Sequence, residues 1–378
     1  MTVRIGVIGT GNIGAQHIEL IRSGRISGAT LAATVSRQGA PVDASVPHYQ
    51  DHISLFEQAD LDAVLIATPT QSHVEIAQAA LDRDLHVLME KPIAMSVSQA
   101  EQLLALVKPT TKFAVMLNQR FHPLYSRIKA LLEASAIGEL QRLNWIMTAW
   151  YRPDVYYRVS SWRGTWPGEG GGLLINQCIH NLDVLQWLVG LPSSVYARVD
   201  FGRYHDIEVE DSATALFQFD NGASGVLVAS SGEAPGANRL ELVGDRGAII
   251  SEGDQIVLKT STESVAEHCR TTNEMFGMPE FATETLSDFP EVDQHAAVLK
   301  NFVAAIAGRE PLLTAGAEGL GSLQLANAML LSAWTNGAVP LPLDAAAYEK
   351  HLTDRVAGGS LRAPEDIDVE IDMDASYR

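Results

Sequence analysis

Val3-Arg4-Ile5-Gly6-Val7-Ile8-Gly9-Thr10-Gly11-Asn12-Ile13-Gly14 decides the fold. A short apolar run ends in three glycines spaced Gly-x-Gly-x-x-Gly. The apolar positions that follow, Ile13, Ile18, Leu20 and Ile21, fit an amphipathic helix over Asn12–Ser23. Between a strand and a helix each glycine has a geometric reason. Gly9 permits the tight turn, Gly11 lets the main chain approach a ligand, and Gly14 lets helix and strand pack closely. The helix start then offers unpaired N–H groups and the positive end of a dipole, which suits a pyrophosphate. Thr10, Asn12 and Ile13 are candidates to touch the same group.

Outward from this stretch, strand-like runs at Leu31–Val35, Ala63–Ala67, Leu85–Met89 and Phe113–Leu117 alternate with helical patterns at Val74–Asp82 and Val97–Val107. That alternation implies βαβ units, hence an α/β fold with a doubly wound parallel sheet, and residues 1–121 are expected to form a Rossmann dinucleotide-binding domain. Ligands of such sheets lie beyond the carboxyl ends of the strands, so the loops there supply candidates. An acid roughly 20 residues past the glycines would bind the ribose 2′-hydroxyl of NAD. Here the chain reads Val35-Ser36-Arg37, and Arg37 can pair with a 2′-phosphate while Ser36 donates a hydrogen bond, so NADP(H) is favoured over NAD(H). Thr68, Pro69 and His73 follow the run Ala63–Ala67; Glu90 and Lys91 follow Leu85–Met89; Asn118 and Arg120 follow Phe113–Leu117. All but Arg120 are expected to face the cofactor, and Arg120 the substrate.

The second half reads differently. Runs at Leu140–Tyr151, Val195–Phe201, Ala213–Phe219, Ala223–Ser230, Arg239–Val243 and Ala248–Ser251 look like strands, with turn signals at Asp220-Asn221-Gly222 and Asp245-Arg246-Gly247. Helices are expected at about 174–189, 291–307 and 315–336. Residues 122–343 are thus expected to be a substrate-binding and oligomerisation α+β domain with a large, mostly antiparallel open sheet. Residues 344–378 read as an acidic C-terminal extension, and 261–290 as a polar loop or intersubunit arm. Four of the six tryptophans fall in 145–166, interleaved with tyrosines and arginines. Aromatic faces beside hydrogen-bonding groups suit a polyhydroxylated ring, and Arg152, Tyr157, Trp162, Arg163 and Trp166 are the substrate candidates. Gly170-Gly171-Gly172 then precedes Asn176, Gln177, His180 and Asp183. On a helix, Asn176 and His180 would share one face, with Gln177 beside them and Asp183 one turn beyond.

Composition limits the partners. With 378 residues and 46% hydrophobic content the chain can bury two cores. Its 27 basic against 46 acidic side chains, net −19, oppose nucleic acid or an anionic membrane as partner. Two cysteines, Cys178 and Cys269, allow no disulfide framework. The start of the chain has no long apolar segment, and a cytoplasmic protein is expected. No metal is expected.

Taken in order, Gly-x-Gly-x-x-Gly, Ala67-Thr68-Pro69 with His73, Glu90-Lys91-Pro92, Asn118-x-Arg120-Phe121, and the triple glycine with His180 and Asp183 resemble the glucose–fructose oxidoreductase/inositol dehydrogenase/MocA (Gfo/Idh/MocA) family. The resemblance covers about residues 3–342. It implies a nicotinamide-dependent oxidoreductase acting on a sugar, sugar derivative or cyclitol, assembled as a homodimer or homotetramer. It further implies that Lys91 is the catalytic lysine and His180 the catalytic histidine. In inositol-dehydrogenase-like members an aspartate stands where this chain has Asn176, and an amide cannot take a proton. The expected division of labour makes His180 the general base, Lys91 the partner of the reacting oxygen and a proton relay where burial lowers its pKa, and Asn176 the orienter of the substrate or of His180. A redox-assisted glycoside hydrolase retaining NAD(H), or a non-catalytic NADP-binding sensor, are the alternatives on the same fold.

Overall fold

The computed structural model describes residues 2–37 and 45–370. The first half contains β1 (Val3–Ile8), α1 (Asn12–Arg22), β2 (Ala29–Val35), β3 (His48–Tyr49), α2 (His52–Gln58) and β4 (Ala63–Ile66). It continues with α3 (His73–Leu81), β5 (His86–Met89), α4 (Val97–Leu104) and β6 (Phe113–Val115). The strands form one parallel sheet in the order β3-β2-β1-β4-β5-β6. Strand order reverses at β1, where the chain leaves for β2 on one side and returns to β4 on the other. That switch point opens a crevice beyond the strand ends, where Gly9 follows β1.

Past α5 (Pro123–Glu133) come β7 (Leu140–Met147), α6 (Val155–Arg158), α7 (Trp166–Glu169) and α8 (Ile179–Val189). Next are β8 (Ser194–Phe201), β9 (Glu210–Gln218), β10 (Ser224–Ser230), β11 (Asn238–Gly244), β12 (Gly247–Glu252) and β13 (Gln255–Thr260). The chain closes with α9 (Val265–Thr271), β14 (Ala282–Leu286), α10 (Gln294–Ile306), α11 (Glu318–Thr335), β15 (Val339–Pro340) and α12 (Ala345–Gly358). The second sheet has nine strands, ordered β14-β13-β12-β11-β7-β10-β9-β8-β15. Every neighbouring pair is antiparallel except β7–β10, which runs parallel. Burial alternates along β8 and β9, so one face packs on α11, which α8 backs, while the other carries exposed Tyr196 and Leu216. No helix among the described residues is long and apolar enough to cross a membrane.

Several expectations need adjusting. Helix α8 begins at Ile179, so Asn176 lies in the preceding turn and not on one helical face with His180. The late helix α10 returns to the first sheet: Val298, Leu299, Phe302 and Val303 share a core with Val3, Ile5, Val7 and Ile18. The segment read as an acidic extension starts with a packed helix, in which Tyr348 is fully buried and Leu352 nearly so. The arm 261–290 contains α9 and β14 and leaves Met275 and Phe276 almost wholly exposed.

Candidate active site

The loop between β1 and α1 is built as its glycines require. Gly9 has φ +99°, and a Cβ there would sit 2.3 Å from the Ala67 carbonyl oxygen. A Cβ on Gly14 would meet the Gly9 carbonyl at 2.0 Å, whereas one on Gly11 would meet nothing within 4 Å. Gly9 and Gly14 close the strand–helix junction, and Gly11 leaves main chain open to the crevice. Helix α1 has no side-chain cap and no acid in its first turn, so its N–H groups are available to an anion. Thr10 and Ile13 are half-buried and Asn12 exposed beside this opening. Further along the rim, Asn118 is buried and its Oδ1 has no hydrogen-bond partner, which fits an amide-bearing ring such as nicotinamide. At the far end, Ser36 Oγ lies 3.2 Å from His48 Nε2, and Arg37 is exposed. The chemistry of this crevice fits a nicotinamide dinucleotide.

The other candidates on this rim divide. Thr68 and Pro69 are half-buried at the crevice. His73 is turned away: both ring nitrogens face main-chain carbonyls, Nδ1 to Pro92 at 2.9 Å and Nε2 to Thr68 at 2.8 Å. It braces the Thr68 loop against the Lys91-Pro92 loop and offers nothing to a cofactor. Glu90 is likewise committed, 2.8 Å from His17 Nε2 on α1. Burial alone would raise its carboxyl, but the His17 hydrogen bond and the positive groups around it hold it at about 2.

Lys91 occupies the centre. Its Nζ donates to the Asn176 main-chain oxygen at 2.8 Å and to Asn176 Oδ1 at 3.1 Å. Burial lowers it to about 8, with Arg152 and Arg163 pushing the same way against Glu90 and Glu169. His180 is buried, and burial together with the Lys91 charge drives it well below the ordinary histidine value, so its imidazole is neutral. The triple-glycine loop that delivers these groups is clamped from beneath by Glu210. That fully buried carboxylate accepts from Gly172 N at 2.8 Å and Leu174 N at 2.9 Å, and the Glu210 carbonyl accepts from Leu173 N at 2.9 Å.

The substrate candidates are only partly brought together. Gln177 is buried beside Asn176 and donates to the Tyr156 hydroxyl at 3.3 Å. The Arg163 guanidinium lies 4.2 Å over the Tyr156 ring and 5.0 Å over Trp162, and Arg152 lies 5.3 Å over Tyr156. Tyr156, which sequence reasoning passed over in favour of its neighbour, is the hub. Tyr157 instead packs on His205, with ring centroids 4.9 Å apart, and burial pushes its phenol up. Trp166 is core, 5.9 Å from Phe201 and 5.8 Å from Trp334 between ring centroids. Arg120 and Asp183, expected near substrate, face each other in a buried bidentate pair at 2.8 and 2.7 Å. Glu169 and Glu210 also escaped the sequence reading. Their signal was an acid at an inward or glycine-flanked position, which composition treats as surface charge.

Residues 3–118 match the model of an oxidoreductase family with an NAD-binding Rossmann fold, and residues 125–250 match the GFO/IDH/MocA C-terminal domain. The chain is 27% identical to the inositol 2-dehydrogenase of Rhizobium meliloti (strain 1021), over 88% of this chain and 97% of that protein. It is 26% identical to the myo-inositol 2-dehydrogenase of Thermotoga maritima, over 85% of this chain and 94% of the relative. Among solved structures, the WlbA dehydrogenase of Bordetella pertussis in complex with NADH and UDP-GlcNAcA superposes with a TM-score of 0.76 at 26% identity. That likeness covers 91% of this chain and all of the other, 100%.

Proposed function

The chain belongs to the Gfo/Idh/MocA oxidoreductase family, and from that premise we propose that it oxidises a secondary or anomeric hydroxyl of a sugar, sugar derivative or cyclitol. The observation that carries this reading is Lys91, half-buried at the carboxyl edge of the parallel sheet and held by Asn176 in the company of His180. Two relatives are named for inositol and a third is bound to UDP-GlcNAcA, which supports a polyhydroxylated ring as the substrate class.

When bound, the nicotinamide supplies the acceptor for the hydride leaving the carbinol carbon. The crevice residues that would hold the dinucleotide are Gly9, Gly11, Thr68 and Asn118. Ser36, Arg37 and His48, with no acid between Val35 and Arg37, support a preference for NADP(H). The chain's own residues handle the proton, and their electrostatics weight the two expected roles the other way. A histidine held well below its usual value is a weak base, whereas a lysine near 8 is matched to working pH. Neutral Lys91 takes the hydroxyl proton, and neutral His180 holds the same oxygen by hydrogen bond. Asn176 fixes the amine, and Tyr156, Arg163, Trp162 and Gln177 form the wall against which the ring lies. The uncovered face of the nine-stranded sheet supports a homo-oligomer.

The test is absorbance at the reduced-nicotinamide band, with NADP⁺ and NAD⁺ in parallel against aldoses, sugar acids, anhydrosugars, inositols and glycosides. Turnover with NADP⁺ that Lys91→Ala lowers roughly 10²–10⁴-fold is expected. Net glycoside hydrolysis without cofactor reduction would replace this reading with the hydrolase; cofactor binding without any turnover would replace it with the sensor.

A further inference from the structure

We propose that Glu169 acts through Asn176 to position Lys91 and to hold its proton; the inference rests on Lys91 being the proton-transfer group of the reaction proposed above. Glu169 lies at the end of α7, 2% exposed. One of its oxygens accepts from Asn176 Nδ2 and the other from Gly164 N at 2.6 Å. The far end of the same amide, Asn176 Oδ1, accepts from Lys91 Nζ at 3.1 Å. An amide has one accepting and one donating end, so Oδ1 can face the ammonium only if Nδ2 faces an acceptor. Glu169 is that acceptor, with the Tyr156 hydroxyl at 3.4 Å beside it. A glutamine in its place could accept at only one of the two N–H groups and would turn a donor toward the other. The carboxylate is therefore required by the hydrogen-bond count as well as by charge.

The departure from an acid at position 176 then has a structural consequence. The negative charge stands one side chain further from the lysine, joined to it by the polarised amide of Asn176. Around Lys91 the opposing charges are Glu90 and Glu169, which favour the ammonium, against Arg152 and Arg163, which disfavour it. His73, His180 and His295 also feel its charge. Glu169 itself faces Lys91 and Arg163, and its field reaches Glu210. Burial raises Glu169 to about 7, so its charge appears across the range in which the enzyme would work. Glu169 is a positioning residue in this account: it touches neither substrate nor cofactor.

The experiment labels the full-length protein with [ε-¹³C]lysine and follows the Cε shift of Lys91 against pH, the signal being identified by its loss in Lys91→Arg. In Glu169→Gln the midpoint of Lys91 should fall by roughly one unit or more, and the pH profile of kcat/KM should move with it. Glu169→Asp, which keeps the charge, should recover part of the shift. A folded Glu169→Gln protein, verified by thermal unfolding and NADPH binding, whose Lys91 midpoint is unmoved would overturn the proposal. If Glu169→Gln fails to fold, Asn176→Ala carries the decision: it severs the bridge, and an unmoved midpoint there overturns the proposal equally. The resonance reads the lysine without turnover, so a shift in a protein that oxidises no polyol would leave the coupling of Glu169 to Lys91 through Asn176 standing while removing the dehydrogenase reading and, with it, the proton-transfer role of Lys91.

Discussion

On the proposed assignment of the base, Lys91 sets the pH dependence. Burial has lowered it to about 8, so the proton-accepting amine gains population as pH rises through that value. Oxidation, measured as kcat/KM between pH 6 and pH 10, should therefore rise with a limb near 8. The reverse reduction, which needs the ammonium, should fall over the same limb. A flat oxidation profile in a protein whose activity still depends on Lys91 would refute the assignment of base. The pair Arg120–Asp183 makes a prediction of another kind. Both side chains are almost fully buried, with Glu318 2.9 Å from the same guanidinium. Removing one partner strands a buried charge, so Asp183→Ala should cost roughly 3–5 kcal/mol in denaturant unfolding. A loss of activity without a loss of stability would instead return Asp183 to the substrate. Legibility at this scale followed residue type. Lys91 stood out because it closes an apolar run, and Asn176 and His180 because they follow a triple glycine. Tyr156 could not be told from Tyr157, since a four-residue helix after an irregular loop gives no period by which to decide which ring turns inward. Arg120 and Asp183 are polar residues at crevice-side positions in sequence, and only the tertiary fold reveals that they neutralise each other.

At the scale of elements, the first sheet was readable because β1, β4 and β5 are short, mostly apolar runs, largely buried, and each is followed by a helix. The second was readable through alternation, since β8 and β9 bury every other side chain. Chain order concealed α10, which completes the core of the first sheet from far downstream. Charge concealed the end of the chain, where the acids of the tail masked a packed helix. Beyond α12 the chain runs extended along the loop that bears the site's aromatics. Arg362 N donates to Ser161 O at 2.8 Å and Glu365 N to Arg158 O at 2.9 Å. Glu365 also pairs with the Arg158 guanidinium, and Arg362 with the Asp206 carbonyl. These contacts strap the segment carrying Tyr156, Trp162 and Arg163. The charged pair is half-exposed and contributes little; the two main-chain bonds contribute about 1–2 kcal/mol of local order. Ending the chain after Gly358 should therefore raise KM roughly five- to thirtyfold while leaving kcat within about a factor of two. An unchanged KM would mean that the loop holds its shape without the strap.

At the scale of the whole molecule, the described residues leave the outer face of the nine-stranded sheet open. On the outer face of the nine-stranded sheet Tyr196 pairs across to Leu216 and Leu216 to Val226, while Val228 pairs to Ile146. Leu216 is 53% exposed, Tyr196 43% and Ile146 41%. Among the described residues no helix packs there; α11 lies on the opposite face. The charges that flank these apolar rows are matched in place: Arg142 lies 3.2 Å from Glu241, and Arg239 lies 2.8 Å from the same carboxylate. In a chain of net charge −19 a locally neutral, apolar sheet face is where two like molecules can meet without mutual repulsion. A second copy of this chain is therefore the expected occupant, and burial of apolar surface makes the contact tolerant of salt. Light scattering behind gel filtration should show at least a dimer at micromolar concentration, persisting when ionic strength is raised. Leu216→Glu combined with Ile146→Glu places unmatched carboxylates in both apolar rows and should shift the protein to a smaller species. Cofactor binding should survive the change, since the crevice lies at the carboxyl edge of the other sheet. A wild-type protein that elutes as a monomer, or a double variant that elutes with it, would show that this face is not where the molecules join.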